Sequence, residues 1–431
     1  MNPRRLFPGW YQVLISAWVL GVGSTTIQFS VGFLVDPIIN EFGWSMLAVT
    51  TAFSLRSQSS ALAAPFIGML IDRFGTRLTL VMGLLVFSAS LFWLSQVDSI
   101  WGFYASFCLL SVGNSAIAGQ VAGVNVARWF VRQRGRAMLL VYLGPGLASL
   151  TIPIYATLMG AYGWRAGQWM WALVTLALCV PAALMVRESP ERHGLLPDGV
   201  PVDKAVAGSS AVANAEAVRR QAVELRGPSM TTGQALRNGS FWRLATSLTL
   251  TSLAAGPVLA LMVPALTKGG VSREVATFTN SSFPLVLALL RLIMARWGDA
   301  LERRNLMAAC FACQAVATVA LAFTTQDTVF LVAPFLLLYG IGFGIPVPLR
   351  STLTADYFGV NSMGTIQGIL QFLTTVGGVA GPLLVGWLVD VTGSYRWPFL
   401  VLAVAAFAAI PLMLTLPQIR PRPRVEHPPP A

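Results

Sequence analysis

The sequence predicts an all-α membrane protein of twelve transmembrane helices, arranged as two pseudo-symmetric six-helix bundles. Three observations predict it: a composition suited to lipid, apolar runs of spanning length along the whole chain, and an internal repeat. Of 431 residues, 55% are hydrophobic and only 11% charged, and the mean hydropathy is +0.68. That is too apolar for a chain whose exterior meets water. A run of about 18 apolar residues crosses a hydrocarbon core about 30 Å thick, and such runs recur from one end of the sequence to the other.

Taken in order, the spans are 11–35, 48–71, 78–96, 101–128, 137–161, 166–186, 242–266, 275–297, 305–324, 329–355, 363–389 and 397–416. The first follows Arg4 and Arg5 and, running from Tyr11 to Val35, is too long for the h-region of a signal peptide. It is therefore read as a span, with no cleaved leader. Six spans lie on each side of a stretch rich in Pro, Gly, Ser and charge. The expected organisation is an N-terminal bundle over 1–186, a linker over 187–240, a C-terminal bundle over 241–417 and a tail over 418–431. Within the linker only Thr231–Arg237 reads as a short surface helix.

The repeat aligns the two sets of six. Gly68-x-x-x-Asp72 after span 2 returns as Ala295-x-x-x-Asp299 after span 8, an offset of 227. Ala127-Arg-Trp-Phe130 after span 4 returns as Ala355-Asp-Tyr-Phe358 after span 10, an offset of 228. Gly163-Trp-Arg165 before span 6 returns as Ser394-Tyr-Arg396 before span 12, an offset of 231. Two homologous bundles facing each other place a binding cavity at their interface, near the bilayer midplane.

Charge orients the bundle. The formal net charge of +12 invites a nucleic-acid reading, but the charges flank the spans. One face receives 22 of the 29 Lys and Arg residues; the other receives only Arg165, Lys268, Arg273 and Arg396. Basic residues are retained on the cytoplasmic side, so both termini are expected there, in a multi-pass protein of a bacterial inner membrane, with no nucleic-acid partner. Cys108, Cys179, Cys310 and Cys313 fall inside apolar runs and read as small buried hydrophobes rather than a disulfide framework, a redox pair or a metal site. His193 and His427 lie outside the spans. No nucleophile, base or metal cluster recurs within them, so neither catalysis nor a cofactor is expected.

Three arginines remain inside spans, where an ionised group is costly and hence a functional candidate. At about 1.5 Å of rise per residue, Arg291 lies eight residues, about 12 Å, from the interfacial Asp299, near the middle of the core. Arg350 lies six residues, about 9 Å, from Asp356, and Arg56 sixteen residues, about 24 Å, from Asp72. These two have shorter routes to water, which makes Arg291 the leading substrate contact. Asn280, Pro284, Leu287 and Arg291 share one helical stripe, as do Tyr339, Phe343, Pro346 and Arg350. Tyr339 is placed either to donate to a carboxylate or simply to pack. Gln28, Asn114, Asn125, Tyr142, Gln367 and Gln371 are mid-span polar residues that either line a cavity or bond between helices. No Asp or Glu lies deep in any span. An unpaired guanidinium in low dielectric favours an anionic ligand, and its planar fork suits a carboxylate.

The loop after span 2 reads Gly68-Met-Leu-Ile-Asp72-Arg73-Phe-Gly75-Thr-Arg77. Its glycines allow close helix packing and a tight turn. Asp72, Arg73 and Arg77, with Asp299 in the degenerate second copy, are placed to make gating ion pairs. This loop resembles the signature of the major facilitator superfamily. Pro8-Gly-Trp10, Asp36-Pro, Glu41-Phe-Gly-Trp-Ser45, Arg134-Gly-Arg-Ala137, Tyr162-Gly-Trp-Arg165, Tyr357-Phe-Gly359, Gly381-Pro382 and Asp390-x-Thr-Gly-Ser-Tyr395 resemble its monocarboxylate transporter and oxalate/formate antiporter branch. The resemblance covers both halves. It implies the major facilitator fold and secondary active transport of a small mono- or dicarboxylate by alternating access. It also implies a substrate-binding arginine in span 8, at Arg291.

The sequence departs from that branch at telling places. Gln28 and Phe29 stand where animal monocarboxylate carriers have a lysine late in span 1. Leu287 stands where they have an acid four residues before the span 8 arginine, and span 11 lacks the lysine of oxalate-type carriers. Proton coupling through an Asp and Arg pair in span 8 is thus unsupported, and the co-transported partner is either a proton carried another way or an exchanged anion. Two other readings stay open: export of a neutral or amphipathic solute such as a drug, and a transporter-like receptor, although the linker shows no signalling domain. A monomer in the lipid bilayer is expected.

Overall fold

The computed structural model describes residues 7–117, 119–148, 151–200 and 211–418, the side chains of 24–33, 53, 147–148 and 211–214 excepted. Arg4, Arg5, Gln28 and the arginines of the tail lie outside what is described. All regular structure among the described residues is helical. In a bilayer this is the economical outcome, because each helix satisfies its own backbone N–H and C=O groups.

The first half contains α1 (Gly9–Phe42), α2 (Met46–Phe74), α3 (Thr76–Ser95), α4 (Ile100–Ile117) and α5 (Gly119–Trp129), the last two forming span 4. They are followed by α6 (Arg134–Val141), α7 (Gly144–Ala148) and α8 (Ile152–Leu184). The second half contains α11 (Gly239–Lys268), α12 (Arg273–Met294), α13 (Arg303–Ala322), α14 (Val332–Gly344), α15 (Pro346–Phe358), α16 (Met363–Thr392) and α17 (Arg396–Leu414). Between the halves lie α9 (Ala211–Arg226) and α10 (Thr232–Arg237). The predicted spans are present, and the molecule is built as two six-helix halves.

Spans 5 and 10 differ from expectation by being broken. Pro145 and Pro153 punctuate the first and Pro346 and Pro348 the second; proline removes an N–H and clashes with the preceding turn, whereas hydropathy does not register it. Spans 5 and 6 meet within α8 at Gly163, whose φ of 79° only glycine adopts readily. Among the described residues nine helical runs are long and apolar enough to cross a membrane. The linker also holds more than the expected surface helix. α10 forms with a capping box at Thr231 and Gln234, while α9, unforeseen, buries Ala217, Val218 and Ala222 in a small cluster with Leu196.

The apolar core follows the repeat. One cluster unites the first six spans, and two others, built around Phe311 and Tyr339, fill the second half. The halves meet chiefly where α2 runs along α16 and where α5 and α6 pack on α15.

Candidate functional site

Arg291 lies in the last turn of α12 and is 8% exposed. The helix ends at Met294 and only turns follow to Ala300, so Arg291 stands closer to the end of its helix than the spacing to Asp299 suggests. Its Nε donates to the Gly344 carbonyl and its Nη1 to the Tyr142 carbonyl, both at 2.9 Å. The guanidinium lies 5.7 Å from the centre of the Tyr142 ring, which adds a cation–π attraction. Both acceptors arise from breaks in the spans. The carbonyl of Gly344, at the end of α14, would normally accept from residue 348, but that residue is Pro348 and has no N–H. Tyr142 follows the last residue of α6, three residues before Pro145. Carbonyls left over at helix ends in low dielectric must find donors, and Arg291 serves one from each half.

Arg350 acts on the same tyrosine. Its Nη2 donates to Gln371 Oε1 at 2.7 Å, and Gln371 Nε2 donates to Thr375 Oγ1 at 3.1 Å. Its Nε has no partner among the described residues. The Tyr142 hydroxyl faces Ser351 and feels both guanidiniums. It presses against α5 so closely that a Cβ at Gly119 would come within 1.8 Å of it. No described carboxylate acts on either arginine. The result is a pair of guanidiniums around one buried tyrosine, held by neutral acceptors and retaining unused N–H donors. A carboxylate can take two such donors in one plane.

The other anticipated contacts are scattered. Arg56 is partly buried on α2. Asn280 shares the unbroken α12 with Arg291 but is exposed. Tyr339 is fully buried, donates to the Ala255 carbonyl at 3.2 Å and stacks on Phe335 and Phe343. Its hydroxyl is thus turned to α11, the packing alternative, and away from Arg350. Asn114 is partly buried on α4. Gln367 is buried, with Nε2 unpartnered among the described residues and Oε1 3.2 Å from where a Cβ at Gly123 would stand. Gln28 lies outside the described residues. Sequence reasoning missed Gly344, Ser351 and the carbonyl of Tyr142. For Gly344 the signal was present in Pro348, which frees that carbonyl; for Tyr142 the only signal was the break that Pro145 marks three residues later.

The anticipated gate residues assemble at the arginine-rich face, with chemistry that differs from the ion pairs expected of Asp72 and Arg73. Asp72 accepts from the Gly364 N–H at 2.9 Å, the Thr365 N–H at 2.8 Å and the Thr365 hydroxyl at 2.7 Å, capping α16 from the opposite half. Gly68 makes this possible, since a Cβ there would stand 2.3 Å from the Gly364 carbonyl oxygen. Arg73 is exposed and rests 5.3 Å from the Phe74 ring centre. Gly75 turns the chain at φ 88°, and Arg77 begins α3, exposed. Asp299 mirrors Asp72. It accepts from the N–H of Gly135 at 2.8 Å and of Arg136 at 3.2 Å, capping α6, and pairs with Arg303 at 3.6 Å. Between the two caps Asp356 takes Arg134 at 2.7 Å and also Arg303. At the far end the ionic contacts stay within one half: Arg165 holds Glu41 and Asp98, each at 2.9 Å.

Comparison with known proteins agrees with this architecture. A sequence profile described as Major Facilitator Superfamily matches residues 13–267 and 244–431. The oxalate:formate antiporter of Oxalobacter formigenes is 24% identical over 407 residues, covering 94% of this chain and 90% of that protein. Monocarboxylate transporter 13 of Bos taurus is 24% identical over 422 residues, covering 95% and 90%. Among solved structures, a proton:xylose symporter bound to 6-bromo-6-deoxy-D-glucose superposes with a TM-score of 0.74 at 14% identity, over 95% of this chain and 96% of that one. The human organic anion transporter TETRAN superposes at 0.69 with 18% identity, over 95% and 100%.

Proposed function

The chain belongs to the Major Facilitator Superfamily and is a membrane transporter rather than an enzyme, and we propose that its cargo is a small organic mono- or dicarboxylate bound at Arg291. One observation carries this reading: Arg291 is buried, bridges the two halves, and has carbonyls but no described carboxylate for partners. Removing a charge from water costs several kcal/mol unless an opposite charge follows, so the site gains by accepting an anion. Arg350, which acts on the same Tyr142, would take a second carboxylate or share the first. The oxalate:formate antiporter and the monocarboxylate transporter named above support the same substrate class.

Because Arg291 ties the first half through Tyr142 and the second through Gly344, an incoming carboxylate competes with both carbonyls. Substrate binding thereby loosens a contact between halves, which is what alternating access requires. The arginine-rich face is taken as cytoplasmic by the positive-inside rule, and the co-transported species as an exchanged anion or a proton travelling with the substrate, since Leu287 offers no acid beside Arg291.

The test is uptake into liposomes by the purified full chain, using labelled lactate, pyruvate, oxalate and formate. Arg291→Lys keeps the charge but loses the fork, and both it and Arg291→Gln should lower initial rates by roughly thirtyfold or more. Equal rates for wild type and variants would remove Arg291 from the substrate site. Resistance to amphipathic compounds without carboxylate flux would replace the cargo.

A further inference from the structure

A second recess lies away from Arg291. A groove of about 800 Å³ opens at the arginine-rich face, between the first turns of α1, the start of α3 and the C-terminal end of α8. Its walls are apolar: Tyr11, Leu14 and Ile15 on one side, Leu184 and Met185 on the other. Apolar side chains facing outward are ordinary in a membrane protein. Their arrangement around a recess is what distinguishes this place, because lipid tails pack against convex helices without needing a groove. The floor is fixed by Gln12, which is 3% exposed and accepts the Arg187 N–H at 2.9 Å where the chain leaves the bundle.

The rim has the opposite character. Arg77, Arg187, Arg192 and His193 surround the opening with a single acid, Glu188, and Glu188 is already paired with Arg192 at 2.7 Å. Arg77 and Arg187 make no ion pair with a described residue. The density of charge is felt by His193, whose imidazole is held below its ordinary value by burial and by Arg187 and Arg192. An apolar recess leading to two unpaired arginines at the membrane surface matches an amphiphile with an anionic head.

We propose that this groove binds one anionic phospholipid of the adjoining leaflet, with an acyl chain along Leu14 and Leu184 and its phosphate on Arg77 and Arg187. A free phosphate would leave the apolar walls unused, and a zwitterionic lipid would bring its own cation to a rim already rich in cations. Juxtamembrane basic residues and basic pockets between helices draw anionic headgroups in this way. The site needs only that the chain spans a membrane, so it stands or falls independently of carboxylate transport.

Native mass spectrometry of the full chain, titrated with phosphatidylglycerol or phosphatidylcholine, tests the assignment. Wild type should retain one phosphatidylglycerol in preference to phosphatidylcholine. Each of Arg77→Gln and Arg187→Gln should weaken phosphatidylglycerol binding roughly fivefold, and the double variant roughly twenty-five-fold. Leu14→Asp, on the wall, should weaken both lipids. Where the double variant does not yield folded protein by size exclusion, the two single variants decide. Equal retention of the two lipids, arginine variants that bind as wild type, or displacement of the lipid by an equal concentration of inorganic phosphate would each overturn the proposal.

Discussion

Arg291 owes its place to backbone chemistry more than to side chains. The guanidinium is positioned by two carbonyls, and each carbonyl is exposed by a break in a span. Beside the second carbonyl, a Cβ at Gly344 would stand 2.2 Å from Leu287 Cδ1 and 3.8 Å from Arg291 Nε. Gly344→Ala should therefore push Leu287 and displace the carbonyl that holds Arg291, costing about 1–3 kcal/mol by overpacking. In the liposome assay its rate should fall at least tenfold, with a lowered melting temperature in detergent. Tyr142→Phe is the control, because it keeps the carbonyl that Arg291 binds and removes only the hydroxyl. If Gly344→Ala transports as wild type, the carbonyl does not set the arginine.

At the scale of elements, the arginine-rich face is closed by helix caps supplied in trans. α16 begins after Ser362 and α6 after Gln133, and neither residue caps its own helix. The orphan N–H groups are instead taken by Asp72 and Asp299, each from the other half, where a carboxylate also meets the positive end of the helix dipole. Asp72→Ala should remove about 1–2 kcal/mol of this closure. Spin labels at Arg73→Cys and Asn361→Cys, with the native cysteines replaced, would report it by double electron–electron resonance as a shift of population to longer distances; an unchanged distribution would show that the cap does not hold the face shut. The sequence located these acids through the repeat, since Asp72 and Asp299 stand at matching places. It did not reveal their partners, because Asp72 meets Gly364 only through packing between halves, and because capping depends on which N–H groups lack acceptors elsewhere. Spans were legible from apolar length alone. The breaks at Gly344 and Tyr142 were not, since a proline in an apolar run leaves hydropathy nearly unchanged, and α9 escaped notice because its buried stripe is as short as Ala217, Val218 and Ala222.

For the whole molecule, the described polar contacts between halves gather at Arg291 and the arginine-rich face, so opening that face means withdrawing Asp299 from α6 and Asp356 from Arg134. Burial lifts the Asp299 carboxyl above its ordinary value of 3.8, against the opposing pull of Arg303 and the N–H groups of Arg136 and Gly135. Opening returns water to the carboxyl and with it the ordinary affinity for a proton. The closed state therefore binds that proton more tightly than the open one, and linkage requires acidification to favour closure. This contribution is complete below 3.8 and is lost as pH rises through the lifted value. In the labelled pair described above, the short-distance population should grow as pH is lowered from neutral toward 3.8, and Asp299→Asn should remove that increment while other titrations persist in both proteins. A wild-type response no larger than that of Asp299→Asn would detach this carboxyl from the gate. Acid on the arginine-rich side would bias the carrier toward the state closed on that side, whatever solute it moves.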